Sequence, residues 1–297
     1  MGNWLSEYSE GPAKYFGEVG IIRKILEILD LPDSMKWVVD FGAGNGESAS
    51  NSRYFIEDLG YGGVLIEPMT SRFEKLQSLY LNYSNVHTLC RFVEFNGPNS
   101  LDSILSECSL PKDIGFVSID IDGNDYHIWD SLQFYRPRMV CIEINETVPP
   151  DSSFVQEKSW NVSQGCGILA MTNLAKSKGY ELICISENNA FYVLQEYYSL
   201  FQINDNSLAI MCKGQLSYTH LFFGYDGSVH IFGEAKLRWH STFLTERNIQ
   251  VVPKYLQKFP PNYSKLERFA FRIWRFLNNP AIFIKSIREK YKDSNAS

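Results

Sequence analysis

Residues 38–48 read VVDFGAGNGES: an apolar run, then glycines at every second position, then a carboxylate. Glycine reaches positive φ and lets a ligand approach the backbone closely. The run at 36–41 (KWVVDF) predicts a buried strand. Gly42, Gly44 and Gly46 predict a tight turn, and residues from about 48 to 58 a helix. Twenty-five positions beyond Gly42, a second apolar run at 63–67 (GVLIE) ends in Glu67. Ligands of open α/β sheets bind outside the carboxyl ends of the strands. The glycine turn and Glu67 then share one sheet edge, where a carboxylate can accept hydrogen bonds from both hydroxyls of a ribose.

The same alternation continues on both sides. Residues 21–29 (IIRKILEIL) carry helical spacing, with Pro32 following. Helices are expected at 71–80, about 101–105, from about Asn124, and at 167–178. A third strand lies within 86–95, a fourth at 115–120 and a fifth at 139–144 (MVCIEI). Segments 181–186 and 190–194 read as a closing hairpin. Strands separated by helices predict right-handed βαβ units and a parallel sheet. The last two strands are too close for a crossover helix, so at least one runs antiparallel. The expected fold is a doubly wound α/β domain over residues 1–213. Beyond it, 214–297 form an extension: a small β element at 224–233 (GYDGSVHIFG) and basic helices at 265–292, interrupted near Pro280.

With 44% hydrophobic residues, the 297-residue chain can bury a large core. A formal net charge of −6 argues against general nucleic-acid binding. No apolar run approaches the roughly 18 residues of a membrane span, and no signal-peptide pattern opens the chain. Six scattered cysteines fit reduced core thiols. A soluble cytoplasmic protein is expected. The opening MGNWLS matches the myristoylation pattern at Gly2 and Ser6.

A strand, glycine turn, helix and distal acid suit a dinucleotide or S-adenosylmethionine. Gly42-x-Gly44-x-Gly46 departs from the dinucleotide fingerprint G-x-G-x-x-G. Glu47 would repel a diphosphate, whereas Asp40 and Glu47 both suit a ligand with a positive end. The expected cofactor-binding residues are Asp40, Gly42, Gly44 and Glu67. An NAD-dependent oxidoreductase is the alternative, and an ordinary tight turn would read the same.

A second acidic stretch, 117–129 (VSIDIDGNDYHIW), closes the fourth strand. Strand alternation puts Asp120 and Asp122 on one face, and Glu143 and Asn145 on one face of the next strand. Together they are expected to converge into an oxygen-rich cluster. Asp120, Glu143 and Asn145 could hold a hard cation such as Mg²⁺. Alternatively Asp122 or Asp120, its pKa raised by like charges, could act as a general base. Loop-capping carboxylates are the plain alternative. Asn124 or Asp125 is the expected helix N-cap, and His127 a contact for shape or substrate.

VVDFGAGNGE, GVLIEP, NSLDSIL, SIDIDGNDYHIWDSL and VCIEIN, in that order, resemble the FkbM-type family of S-adenosylmethionine-dependent methyltransferases over roughly residues 17–213. The resemblance implies a class I methyltransferase fold, a seven-stranded sheet whose last strand inserts antiparallel. It implies methyl transfer to a hydroxyl of a sugar or natural product, with Gly42, Gly44 and Glu67 at the cofactor. It also implies Asp120 and Asp122 as metal ligand or base. Gly17 and Glu18 match a segment before the first helix, while Val19 stands where relatives usually carry an acid. The extension is similar to one on relatives from surface-polysaccharide gene neighbourhoods. The function expected is therefore O-methylation of a sugar in a glycan, surface polysaccharide or nucleotide sugar. A non-catalytic binding module on the same fold is the other alternative.

The tail reverses the overall charge. Residues 265–292 hold eight basic residues, among them Lys265, Arg268, Arg272 and Arg275, against Glu267 and Glu289. Basic residues beside aromatic ones suit an anionic membrane surface or glycan. A helix docking its apolar stripe on the catalytic domain is the competing expectation.

Overall fold

In the computed structural model, residues 2–9, 18–48 and 50–285 are described. Gly17 and residues 286–292 of the tail lie outside them. The chain divides into two compact units, Met1–Ser217 and Tyr218–Ser297.

The first unit runs α1 (Val19–Leu29), β1 (Trp37–Phe41), α2 (Arg53–Glu57), β2 (Gly62–Ile66), α3 (Thr70–Tyr80), β3 (Val86–Leu89) and α4 (Leu101–Glu107). It continues with β4 (Phe116–Ile119), α5 (Asp125–Ser131), β5 (Met139–Glu143), α6 (Ile168–Ser177), β6 (Tyr180–Ser186), β7 (Asn189–Leu194) and α7 (Leu208–Met211). The strands form one sheet in the order β3-β2-β1-β4-β5-β7-β6. Pairs β2–β3, β1–β2, β1–β4 and β4–β5 are parallel; β7 is antiparallel to both β5 and β6. This is the doubly wound, mostly parallel seven-stranded sheet of the class I methyltransferase fold. Strand order reverses between β1 and β4, which opens a crevice at their carboxyl ends.

Alternation along the strands sends side chains into two cores. Val39, Val64, Val117 and Val140 meet α4, α5 and α6 through Leu101, Ile104, Ile128, Trp129 and Met171. Val38, Leu65, Phe116 and Cys141 meet α1, α2 and α3 through Ile22, Ile25, Phe55 and Leu76. Each Ile or Leu so buried contributes roughly 1.5–3 kcal/mol of transfer free energy. Helix α1 ends where Asp30 takes a left-handed φ of 45°, two residues before Pro32.

Two elements differ from expectation. The helix expected from about residue 48 begins only at Arg53. Ser50, Asn51 and Ser52 are buried, with side chains bonded to one another's hydroxyls, to the Arg53 amide, to Ser118 and to Asp40. Such local side-chain bonds compete with helical backbone. Residues 2–8 dock on β6: Asn3 donates to the Ile185 carbonyl at 2.8 Å and accepts from its amide at 3.0 Å. A side chain at Gly2 would meet Ile210, so the glycine of the myristoylation pattern already has a packing reason.

The second unit opens with a hairpin, β8 (Thr219–Phe223) and β9 (Val229–Gly233), followed by β10 (Lys236–Leu237), β11 (Thr242–Phe243) and α8 (Glu246–Ile249). Gln250 bonds both backbone groups of Val229. Helix α9 (Lys265–Asn278) follows, started by a capping box in which Ser264 and Glu267 satisfy each other's amides. The helix breaks at Asn279, and residues 280–285 are helical again, as the interruption near Pro280 predicts. No helix among the described residues is long and apolar enough to cross a membrane. None of the six cysteines is in a disulfide, and five are buried.

Candidate active site

The glycine turn and the acidic turn are built on adjacent strands. The Asp120 amide donates to the Phe41 carbonyl at 3.1 Å, extending the β1–β4 ladder by one bond. Gly42, at φ +92°, sits against this turn: a β-carbon there would lie 1.9 Å from the Asp120 carbonyl oxygen. Only glycine fits. Gly44, at φ +58°, has nothing within 4 Å of where its β-carbon would be. Its amide donates to Glu67 Oε2 at 3.0 Å, while Oε1 accepts from the Met69 amide at 2.7 Å. Both carboxylate oxygens are thereby aimed, and each keeps a lone pair for a further donor.

Asp125 shapes the acidic turn. Its carboxylate accepts from the Ile121 and Gly123 amides, both at 2.9 Å. Asn124 is the N-cap of α5 by backbone alone; its side chain instead donates to the Ser159 carbonyl. The strand alternation expected through Asp122 stops at Ile119, because Asp122 adopts φ +55°. Even so, an oxygen each from Asp120, Asp122 and Glu143 lie within 4.8 Å of one another.

Two expected site residues lie elsewhere. Asp40 shares a strand face with Val38, is buried, and accepts from Ser52 Oγ at 2.6 Å; it does not line the cavity described below. Asn145 follows the end of β5, so it does not continue the Glu143 face. Its Oδ1 accepts from the amide and hydroxyl of Thr147 and its Nδ2 donates to the Gln164 carbonyl. That oxygen is occupied by its own loop.

These elements frame a cavity of about 810 Å³, lined by Gly42, Gly44, Asn45, Glu67, Met69, Asp120, Ile121 and Asp122 among others. Its walls include Arg72 and Lys75 of α3 and an aromatic group absent from the sequence expectations. Phe92 and Trp160 both line the cavity and meet edge to face at 4.5 Å. Trp160 stacks on Phe95 at 4.9 Å, and Lys158 Nζ lies 4.9 Å from the Phe95 ring centre. The loop carrying Trp160 is pinned to α5 by His127, which bonds the Gln156 carbonyl at 3.0 Å. Gln156 Oε1 in turn accepts from the Gln164 and Gly165 amides. His127 thus sets loop shape. The only sequence signal for Trp160 was loop length: residues 144–167 hold no regular element, which is long for a loop in a compact domain.

Burial and crowding raise the acids together. Glu143 is pushed up to about 9, first by burial, then by Asp120, Asp125 and Asp122. Burial also raises Asp125 to about 7 and Asp40 to about 6. Asp120 is raised by burial and by Asp122, against a hydrogen bond with Glu143 that favours its ionised form. Burial and like charge thus favour the protonated form of Glu143, while its hydrogen bond with Asp120 favours the ionised form of Asp120. Glu18 adds a further buried acid, raised by burial, bonded to Asn189 and repelled by Asp120. Asp120, Asp122 and Glu67 are the acids that line the cavity itself, facing it together with Arg72 and Lys75.

No protein-family model matches the chain, and a search of curated proteins finds no match. Similar solved structures include a SAM dependent methyltransferase from Aquifex aeolicus, 15% identical with a TM-score of 0.35, over 58% of this chain and 87% of that one. Another is precorrin-6y C5,15-methyltransferase from Geobacter metallireducens, 14% identical with a TM-score of 0.37, over 62% of this chain and 91% of that one. A third is methyltransferase FkbM from Methylobacillus flagellatus, 17% identical with a TM-score of 0.38, over 54% of this chain and 44% of that one. Likenesses this distant carry no argument about chemistry. The strand order and the cavity carry it.

Proposed function

We propose that the protein transfers a methyl group from S-adenosylmethionine to a hydroxyl oxygen of a sugar, in a glycan, surface polysaccharide or nucleotide sugar. The observation that carries this reading is a single cavity lined both by Glu67 with Gly44 and by Asp120 with Asp122. Glu67 can accept from ribose hydroxyls, and the open space over Gly44 admits the nucleoside beside the backbone. The acidic wall suits a sulfonium and an ammonium group. The sugar acceptor and the FkbM-type placement rest on the motif resemblance.

The turn disfavours a dinucleotide. Asn45 Oδ1 accepts from the Glu47 and Ser48 amides, both at 3.0 Å, so those donors are taken. Helix α2 starts only at Arg53, well past the glycines, and cannot present its N-terminus to a diphosphate there.

S-adenosylmethionine supplies a methyl made electrophilic by its sulfonium. The protein's part is to hold the acceptor oxygen in line and to remove its proton. As the oxygen–carbon bond forms, the carbon–sulfur bond breaks with its electron pair going to sulfur, and Asp122 takes the hydroxyl proton. Asp122 is exposed, whereas Asp120 is half-buried and hydrogen-bonded with Glu143. Phe92 and Trp160 offer flat apolar surface on which a sugar face or a purine packs. The oxygens of Asp120, Asp122 and Glu143 also form a donor set that fits a hard divalent cation. Chelation separates the two uses: full activity in EDTA leaves only the base.

The test is incubation with methyl-labelled cofactor and a panel of glycans and nucleotide sugars, with the product mapped. Label on a sugar oxygen supports the reading. Cofactor binding without transfer to any acceptor favours the binding module instead.

A further inference from the structure

Helix α9 separates its residues by chemistry. At 3.6 residues per turn, Leu266, Phe269, Ile273, Phe276 and Leu277 fall in an arc of about 100°. All five are exposed, Leu266 at 76% and Leu277 at 72%. Lys265, Arg268, Arg272 and Arg275 fall in an adjoining arc of about 80°. The remaining aromatic residues turn to their own unit: Phe271 lies 5.4 Å from Tyr263 and 5.6 Å from Trp274. The helix holds one acid, Glu267, which is taken by the Ser264 amide and by Lys258. The capping box starts the helix without outside help, and exposed Ile282 and Ile284 follow it.

A broad apolar arc bordered by cations, on a helix of low average hydrophobicity, is the pattern of helices that lie in a membrane surface. Charge decides against other partners. A second copy of α9 laid on the first would bring four cations against four, which costs association. A nucleic acid would use the cations and leave five large apolar side chains in water. We infer that α9 is a peripheral anchor for an anionic bilayer, with Phe269, Ile273 and Phe276 at the acyl boundary and Lys265 and Arg272 on lipid phosphates. The anchor is independent of methyl transfer, because vesicle partition is read without turnover.

The experiment is sedimentation of the full chain with vesicles of phosphatidylcholine alone and of phosphatidylcholine mixed with phosphatidylglycerol. Binding to the mixed vesicles at low salt, and its loss at high salt, is expected. The double variant Lys265→Gln/Arg272→Gln should lower partition about 30-fold, on the order of fivefold per cation. Ile273→Asp should abolish it while the circular dichroism and thermal midpoint stay unchanged, because Ile273 is exposed. Absence of binding, equal binding to both vesicle types, or an Ile273→Asp effect on self-association alone would overturn the inference.

Discussion

Gly42 and Asp120 are joined back to back: the place of a β-carbon on Gly42 lies 1.9 Å from the Asp120 carbonyl oxygen, and the glycine holds φ at +92°. The glycine turn and the acidic turn therefore pack backbone to backbone. Gly42→Ala must open the β1–β4 edge and strain its own backbone, costing about 2–5 kcal/mol. Gly44→Ala is the control, with free space and a left-handed φ worth about 1 kcal/mol. Its methyl group enters the cavity, so it should weaken cofactor binding at least tenfold while lowering the thermal midpoint by only about 2–4 °C. Chemical denaturation and calorimetry on both variants read the contrast.

Glu67 gives a prediction specific to the ribose. Wild-type protein should bind S-adenosylhomocysteine more tightly than its 2′-deoxy analogue by about 1–2 kcal/mol, since a lost hydroxyl leaves a buried acceptor unpaired. In Glu67→Gln that difference should shrink, because one oxygen becomes an amide donor. An undiminished difference would place the ribose elsewhere.

Much of this arrangement was readable from residue order. Periodicity located the alternating elements, and the two acids and three glycines fell at strand ends because apolar runs stop where the chain meets the crevice. What could not be read depends on distant partners. Asn51 and Ser52 look like helix residues until Ser118 and Asp40 take them. Asn145 looks like a ligand until Thr147 and Gln164 occupy its amide. Trp160 joins Phe92 only after the loop bearing it is fastened to His127 and Asn124, some thirty residues earlier.

Asp122→Asn separates binding from turnover. Asp122 is exposed and carries little of the fold, so stability and affinity for uncharged S-adenosylhomocysteine should hold while the rate falls by about 10²–10⁴. An unchanged rate would remove Asp122 from the reaction and leave Asp120 as the base.

The raised carboxyls give a pH signature with a definite sign. Folding favours the protonated forms of Asp125 and Glu143, whose ordinary values are 3.8 and 4.5 and whose folded values are about 7 and 9. Their contribution is fully present below about pH 4 and is lost as pH rises through about 7 and then 9. The thermal midpoint should fall across that window. A cationic ligand opposes the trend by favouring ionised acids. Affinity for S-adenosylmethionine should therefore climb more steeply with pH than affinity for S-adenosylhomocysteine, which lacks the sulfonium charge. Parallel pH profiles would mean that the acidic wall does not sense the sulfonium.

The central claim is that this cavity takes S-adenosylmethionine and not a dinucleotide, and titration calorimetry of the full chain with each tests it most directly. The account predicts micromolar binding of S-adenosylmethionine, on the order of −8 kcal/mol, with no measurable heat from NAD. Micromolar binding of NAD together with no binding of S-adenosylmethionine would contradict it.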